Sequence, residues 1–328
     1  MSESPLVLAQ RIADNLGILG TIHPLGKSNQ NNWNWQVGQM VLKIFIPNEE
    51  DPLEDTPRWE RESHALRLVA PQGFAPTLRR EIVTNSGIHA HIRDYIPGKN
   101  LKDLNSTPVP LDEIALILQK IHTAHVRPKD HLLEGSLDWY LNRCRKTLLM
   151  FEASWDRYPI PTNASPGFAK DLFEHSVVFI QSVAKAFPLD KLSLVHGDLL
   201  LTNIILSDTS DRLTLIDWEY SGYRDPLADV SYLLSQNPGL EPYREEFLQV
   251  YCDYSRPTKD ENEFRSRLMA HDLVLDWIFA LWSANRALEI ISGKRIDFDK
   301  SKTAVDSIWH DYETKIARIN EKLDHDEI

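Results

Sequence analysis

Asp198 and Asn203 stand within the stretch Leu194-Val195-His196-Gly197-Asp198-Leu199-Leu200-Leu201-Thr202-Asn203-Ile204-Ile205-Leu206, at the ends of the apolar runs that its polar groups interrupt. Asp217 sits in a second such run, Leu213-Thr214-Leu215-Ile216-Asp217-Trp218-Glu219. Apolar neighbours make an isolated anion costly, so each aspartate needs a cation, a proton to accept or several hydrogen bonds. Phosphoryl transfer supplies such partners. It requires a carboxylate that takes the proton of an attacking hydroxyl, and oxygen ligands that fix magnesium against nucleotide phosphates. Asp198, Asn203 and Asp217 can fill those three roles.

A cation for such a site is available at Lys43. Trp33, Trp35 and Val37 alternate with polar residues, Gly38-Gln39 offers a tight turn, and Met40 to Ile46 is apolar, which predicts a hairpin. Lys43 then shares a face with Val41 and Phe45, a costly place for an ammonium unless an anion waits there. The alternative is a lysine that snorkels at a sheet edge. Thr56-Pro57 provides an N-cap and a first-turn proline for a helix carrying Trp59, Leu66 and Val69, which Pro71 and Gly73 end. Glu60 and Glu62 ride on that helix. A further hairpin is expected where Glu81 to Thr84 and Ile88 to Ile92 flank Asn85-Ser86-Gly87. The N-terminal part thus reads as strands with one helix, closing at Tyr95-Ile96-Pro97-Gly98, the expected boundary between residues 1–97 and 98–328. Ahead of the first hairpin, Gly26 to Asn32 forms a polar turn whose backbone amides and small side chains could fold over phosphates.

The remainder reads as helix around the Asp198 to Asp217 segment. Ile114, Ile117, Leu118 and Ile121 repeat at helical spacing, as do Phe168, Leu172, Phe179 and Val183, and further helical patterns run through residues 243–255, 263–292 and 301–322.

Composition bounds the function. The 328 residues contain 42% hydrophobic and 26% charged residues, as in folded globular proteins, and the length suggests two domains or lobes. A formal charge of −12 has the wrong sign for neutralising nucleic acid phosphates. No stretch reaches the roughly 18 apolar residues of a membrane helix, and Glu3 and Pro5 interrupt a signal-peptide pattern, so a cytoplasmic protein without a membrane partner is expected. Cys144 and Cys252 form no C-x-x-C pair and read as two buried thiols. Among the twelve histidines, His89 with His91 and His122 with His125 lack a third ligand for a metal site.

His196-Gly197-Asp198 with Asn203, followed by Ile216-Asp217-Trp218-Glu219, resembles the aminoglycoside phosphotransferase and choline kinase family, which shares the protein-kinase-like fold. The step from Asp198 to Asn203 equals that of the kinase catalytic loop, with glycine replacing arginine, and Asp217 stands where the D-F-G aspartate would. Asp225-Pro226-Leu227-Ala228-Asp229 supplies the D-P-x-x-D that usually follows in the family. The resemblance spans about residues 20 to 235. It implies an α+β, two-lobed fold with a β-rich N-lobe that binds nucleotide and a mainly helical C-lobe. It further implies ATP and Mg2+ as cofactors, Asp198 as catalytic base, Asn203 and Asp217 as magnesium ligands, and Lys43 on the nucleotide phosphates. Glu62 is the implied partner of Lys43, with Glu60 half a turn away left open. Ser28 and Asn29 resemble the small polar residues of the family's phosphate loop, although the loop lacks a glycine-rich consensus. Asp94, Tyr95 and Ile96 belong to a stretch that resembles the adenine-binding hinge, and His196 resembles the histidine that organises the catalytic loop.

The acceptor implied is a small molecule with a hydroxyl near Asp198. Glu219, Asp225 and Asp229 add negative charge, which favours a cationic acceptor: an amino alcohol such as choline or ethanolamine, a thiamine-like compound or an aminoglycoside. Trp139, Tyr140, Trp277 and Trp282 are candidates for an aromatic box around a quaternary ammonium, against the plainer reading that they fill core space. The acidic stretch Asp253 to Glu263 could line an aminoglycoside cleft or be a solvated turn. A nucleotide-binding pseudokinase acting as a protein-interaction module is the alternative function. Nothing in the sequence fixes an oligomeric state.

Overall fold

The computed structural model describes residues 4–18, 20–25, 32–46, 56–104, 109–123, 134–135, 137–155, 157, 165–188, 192–255, 260–293 and 302–324. In chain order the elements are α1 (Pro5–Asn15), β1 (Ile22–Pro24), β2 (Asn32–Val37), β3 (Met40–Phe45), α2 (Arg58–Val69), β4 (Leu78–Val83), β5 (His89–Asp94), β6 (Gly98–Asn100), α3 (Leu111–Thr123), β7 (Glu134–Gly135), α4 (Leu137–Trp155), α5 (Pro166–Ala186), β8 (Ser193–Val195), β9 (Ile204–Ser207), β10 (Leu213–Leu215), β11 (Gly222–Arg224), α6 (Leu227–Gln236), α7 (Arg244–Ser255), α8 (Glu261–Ile291) and α9 (Lys302–Asp324). They fall into two compact units. The first holds Met1–Leu133, Ser193–Tyr223 and Gln236–Arg256; the second holds Glu134–Leu192, Arg224–Ser235 and Pro257–Ile328.

In the first unit an antiparallel sheet runs β1-β2-β3-β5-β4. Side chains alternate across it, as strand geometry requires. Leu42, Ile44, Ala90 and Ile92 form one core with Leu8, Ala9, Ile12 and Ala13 of α1. Lys43, Phe45, His91 and Arg93 occupy the opposite set of positions, and Lys43 and Arg93 there meet Glu62 of α2. The pattern of the sequence predicts one helix among these strands, and there are two. Ser4 caps α1 by accepting the Val7 N–H, with Pro5 in the first turn. Eleven residues make a marginal helix alone, and it is the sheet that buries its apolar stripe. At α2 the helix begins at Arg58 behind Pro57 without a side-chain cap, so Thr56 is not the N-cap. The Thr56 carbonyl instead accepts Arg61 Nε and Nη2 at 3.1 and 2.8 Å.

A second antiparallel sheet of the same unit, β10-β9-β6, carries the hairpin on which the polar segment is mounted. Gly98, half of the Pro97-Gly98 pair read as a boundary, lies in this first unit and pairs with Ser207. Its φ of +154° and the Leu206 carbonyl oxygen, 2.1 Å from where a Cβ would stand, exclude a side chain there.

The second unit is helical. Tyr140, Leu141, Cys144, Leu148 and Phe151 of α4, Phe173, Val177 and Ile180 of α5, and Trp277, Leu281, Ala284 and Leu288 of α8 share one core with Trp309, Tyr312 and Ile316 of α9. Ala270, Ala280, Ala284 and Ala287 are wholly buried along α8, small side chains that suit close helix packing. On α5 the buried stripe runs through Ala169, Leu172, Phe173, Val177 and Ile180, which leaves Phe168 exposed. Cys144 is buried, as expected; Cys252, which lies in the first unit, is only half-buried. Among the described residues, no helix is long and apolar enough to cross a membrane.

Candidate active site

The segment from His196 to Trp218 folds back on itself through hydrogen bonds among its own residues. His196 Nε2 donates to the Ile216 carbonyl at 2.9 Å, and its Nδ1 accepts the Asp198 N–H at 3.3 Å. The ring packs on Trp218 with centroids 4.5 Å apart. His196 therefore ties the Asp198 end of the segment to the Asp217 end. Gly197, between histidine and aspartate, has a φ of +79°, a left-handed conformation that glycine adopts without strain. Asn203 Nδ2 donates to both the Asp198 carbonyl and Asp198 Oδ2, each at 2.9 Å. The Asn203 carbonyl in turn accepts the Ile216 N–H at 2.9 Å. Asp198 is half-buried and Asn203 buried.

Asp217 has a φ of +68°, unusual for a residue with a side chain and the kind of backbone strain that clusters at functional sites. Its Oδ1 lies 2.5 Å from Lys43 Nζ. Lys43 also meets Glu62 Oε2 at 2.6 Å and Glu219 Oε2 at 2.7 Å. The ammonium is wholly buried among three carboxylates, so it does not snorkel. Glu62 is the helical partner, and its second oxygen takes Arg93 Nη1 at 2.5 Å. Burial alone would lower the Lys43 pKa, but Asp217, Glu219 and Glu62 outweigh it and hold the ammonium well above the ordinary lysine value. Burial pushes the Asp217 carboxyl up, and the charges of Lys43 and Arg93 more than reverse this, so it stays below the usual range. For Glu219 burial prevails over Lys43 and the carboxyl is raised.

Glu219, Asn32 and Arg93 are members of this cluster that the spacing argument does not assign. Glu219 carried a signal, being a third acid in the same apolar context as Asp217. Asn32, which donates Nδ2 to Glu219 Oε2 across 187 positions, carried none.

The stretch expected to act as a hinge, Asp94 to Ile96, has most of its polar groups in use. Asp94 holds Arg79 through Nε and Nη2 at 2.6 and 2.8 Å and gives its N–H to the Thr77 carbonyl. The Tyr95 N–H goes to the Gln39 carbonyl at 3.0 Å. Ile96 has no backbone N–H partner among the described residues. Ser28 and Asn29 lie outside the described residues.

A divalent ion can be tested against these donors. Glu62, Asp217 and Glu219 bring oxygens within 4.8 Å of one another, although Lys43 already stands among them. Asn203 commits its side-chain nitrogen to Asp198, which leaves its side-chain Oδ1 as the atom able to ligate. An all-oxygen set of this kind fits a hard cation such as Mg2+.

In the second unit the charges expected to attract a cation are spoken for. Asp225 Oδ2 lies 2.8 Å from Arg267 Nη2 and 3.1 Å from His271 Nε2, while its Oδ1 accepts the Leu227 N–H. Burial would raise the Asp225 carboxyl, but His271 and Arg267 hold it far below the usual range. Asp229 is wholly buried. The aromatic candidates do not assemble into a box either. Trp277 is core, its indole N–H on Ser176 Oγ at 2.9 Å, whereas Trp282 is half exposed beside Arg286. Trp139 and Tyr140 are both covered by the Arg224 guanidinium, 5.6 Å from each ring. Of the acidic stretch, Asp253, in the first unit, accepts from Gln249, while in the second Asp260 caps α8 and Glu263 pairs with Arg267.

Residues 21–264 match the profile of the family described as "Phosphotransferase enzyme family". The chain belongs to this family. Protein LicA of Haemophilus influenzae is 30% identical over 131 residues, covering 34% of this chain and 47% of that protein. The chain spans less than half the length of the curated relatives it matches. Among solved structures of phosphotransferases, a choline/ethanolamine kinase family protein from Mesorhizobium loti superposes with a TM-score of 0.68 at 20% identity, covering 96% of this chain and 95% of that one. A thermostable mutant of aminoglycoside phosphotransferase APH(4)-Ia, in ternary complex with AMP-PNP and hygromycin B, gives 0.63 at 14% identity, covering 96% and 97%. At such identities the likeness shows the fold, which is the α+β, protein-kinase-like one expected from the sequence.

Proposed function

We propose that this phosphotransferase moves the γ-phosphate of ATP, with Mg2+, to a hydroxyl of a small cationic molecule in the cytoplasm, with residues 1–97 as the nucleotide-binding lobe and 98–328 as the catalytic and acceptor-binding lobe. The observation that carries the reading is the buried Lys43 to Glu62 pair, which stands against Asp217 in the segment whose other end presents Asp198. Lys43 supplies a fixed positive charge for the α and β phosphates. Ile96 supplies a backbone N–H for adenine, since those of Asp94 and Tyr95 are engaged. Asp217 and Asn203 Oδ1 are the groups that would hold magnesium, which neutralises phosphate charge when bound. Ser28 and Asn29 are proposed to cover the phosphates.

Asp198 takes the proton of the acceptor hydroxyl as the acceptor oxygen bonds to the γ-phosphorus and the bond to the β–γ bridging oxygen breaks, leaving ADP. Asn203 holds Asp198 Oδ2 and so orients the carboxylate for that task. Choline, ethanolamine and aminoglycosides are the acceptor classes to which the family likeness points. The pairing of Asp225 with Arg267 and His271 removes one of the acidic groups that favoured a cation, so the acceptor class rests on the relatives.

The test is ADP release from MgATP across choline, ethanolamine, thiamine, aminoglycosides and hexosamines. One acceptor should turn over, and Asp198→Asn should lose at least about a hundredfold in rate while still binding MgATP. Nucleotide binding without turnover on any acceptor would instead favour a pseudokinase that serves as a protein-interaction module.

A further inference from the structure

Three carboxylates surround Lys43, and they are not equivalent. The side chains of Glu62 and Glu219 are 0% and 4% exposed, whereas that of Asp217 is 23% exposed. Only the last can exchange its lysine contact for a ligand without first being uncovered. Glu219 is also held from other elements. The Oε2 that meets Lys43 accepts Asn32 Nδ2 from the start of β2, and Oε1 faces Arg58 Nη1 from the start of α2 at 3.9 Å. Arg58 is itself placed by the ring of Tyr220, 5.0 Å from its guanidinium carbon.

We propose that Glu219, oriented by Asn32, is a second anchor for Lys43 and thus a positioning residue for phosphoryl transfer. The inference rests on the phosphotransferase reading, in which Asp217 serves magnesium. A lysine side chain has four flexible carbons, and one carboxylate fixes its distance from a single point while two fix its direction as well. When Asp217 turns to a metal, Lys43 keeps Glu62 on α2 and Glu219 beyond Asp217, so its Nζ stays where phosphates are to be met. Charge supports the same division. Among the ion pairs of the described residues, the three carboxylates face three cations, Lys43, Arg93 and Arg58. Without Asp217, Lys43 still meets two carboxylates, Glu62 and Glu219.

Glu219→Gln keeps the shape of the side chain and removes its charge; Asn32→Ala removes the amide that orients it. Each variant is to be compared with the wild type by MgATP titration calorimetry, by the rate of ADP release at saturating MgATP with the acceptor that turns over or with water, and by the Mg2+ concentration giving half that rate. Glu219→Gln should lower the rate roughly ten- to a hundredfold, the cost of misplacing a positioning group. MgATP affinity should stay within about threefold, because the variant removes an anion as well as an anchor, and the Mg2+ requirement should not move. Asn32→Ala should fall in the same direction by less, and it carries the test if Glu219→Gln does not fold. An unchanged rate in both variants overturns the inference, as does a raised Mg2+ requirement in Glu219→Gln, which would make Glu219 a metal ligand. A wild type that binds no MgATP overturns the phosphotransferase reading along with it, whereas normal wild-type binding and turnover with unaffected variants overturns this inference alone.

Discussion

Lys43 Nζ and Glu62 Oε2 stand 2.6 Å apart with neither side chain exposed to solvent. The pair joins β3 to α2, and the same ammonium reaches Asp217. A buried charge of this kind is tolerable only while each member is compensated.

Lys43→Ala should therefore cost both stability and nucleotide use. Removing one partner of a buried pair typically destabilises by about 3–5 kcal/mol, and the lower end is expected because Arg93 still serves Glu62 and Arg58 lies near Glu219. Denaturant unfolding measures the first effect, and kcat/KM for ATP the second. Unchanged ATP kinetics would contradict the role assigned to Lys43.

Acid should destabilise the first unit through His91. Burial, opposed by Glu62 and reinforced by Lys43, lowers its pKa from 6.5 to about 4, and neither ring nitrogen has a hydrogen-bond partner among the described residues. Between those two values the unfolded chain binds a proton that the folded chain refuses, so stability is full above pH 6.5 and falls as the pH drops. At roughly 1.4 kcal/mol per pH unit the loss approaches about 3 kcal/mol near pH 4. Unfolding measured at neutral and acidic pH should show this slope reduced in His91→Leu; an identical slope would assign the acid sensitivity elsewhere.

Gly98→Ala should destabilise although it adds a single methyl group. The new Cβ would fall 2.1 Å from the Leu206 carbonyl oxygen, a backbone atom of β9, in a backbone conformation that L side chains rarely adopt. A loss of at least about 2 kcal/mol is expected, read as a lower thermal midpoint. Because β9 follows directly on Asn203, the rate of phosphate transfer should fall as well.

Trp277→Phe separates core from acceptor site. It removes the indole N–H that Ser176 Oγ accepts while keeping an aromatic ring against Phe173. A stability loss of about 1–2 kcal/mol with an unchanged acceptor KM is expected. A raised acceptor KM with unchanged stability would return Trp277 to the binding site.

Some of this was legible because it is local. The Asp198, Asn203 and Asp217 groups lie within a single β-hairpin segment, where spacing alone limits how far apart they can lie, and His196 closes it by hydrogen bonds to Asp198 and, across the hairpin, to Ile216. The face of Lys43 followed from strand alternation. Helix α1 was not legible, since its stability comes from a sheet formed later in the chain. Nor was the fate of the acidic and aromatic candidates: Asp225 is neutralised by residues 42 and more positions away, and Trp139 and Tyr140 are covered by Arg224.

By itself, then, the order of residues determined which groups could do chemistry and on which elements they ride, because motif spacing and side-chain periodicity are short-range properties of the backbone. Which of those charges find a partner was decided only by tertiary structure. Burial makes an unpaired ion costly, so each ion's role depends on what packing brings within a few ångströms of it: Glu219 and Asn32 for Lys43, Arg267 and His271 for Asp225.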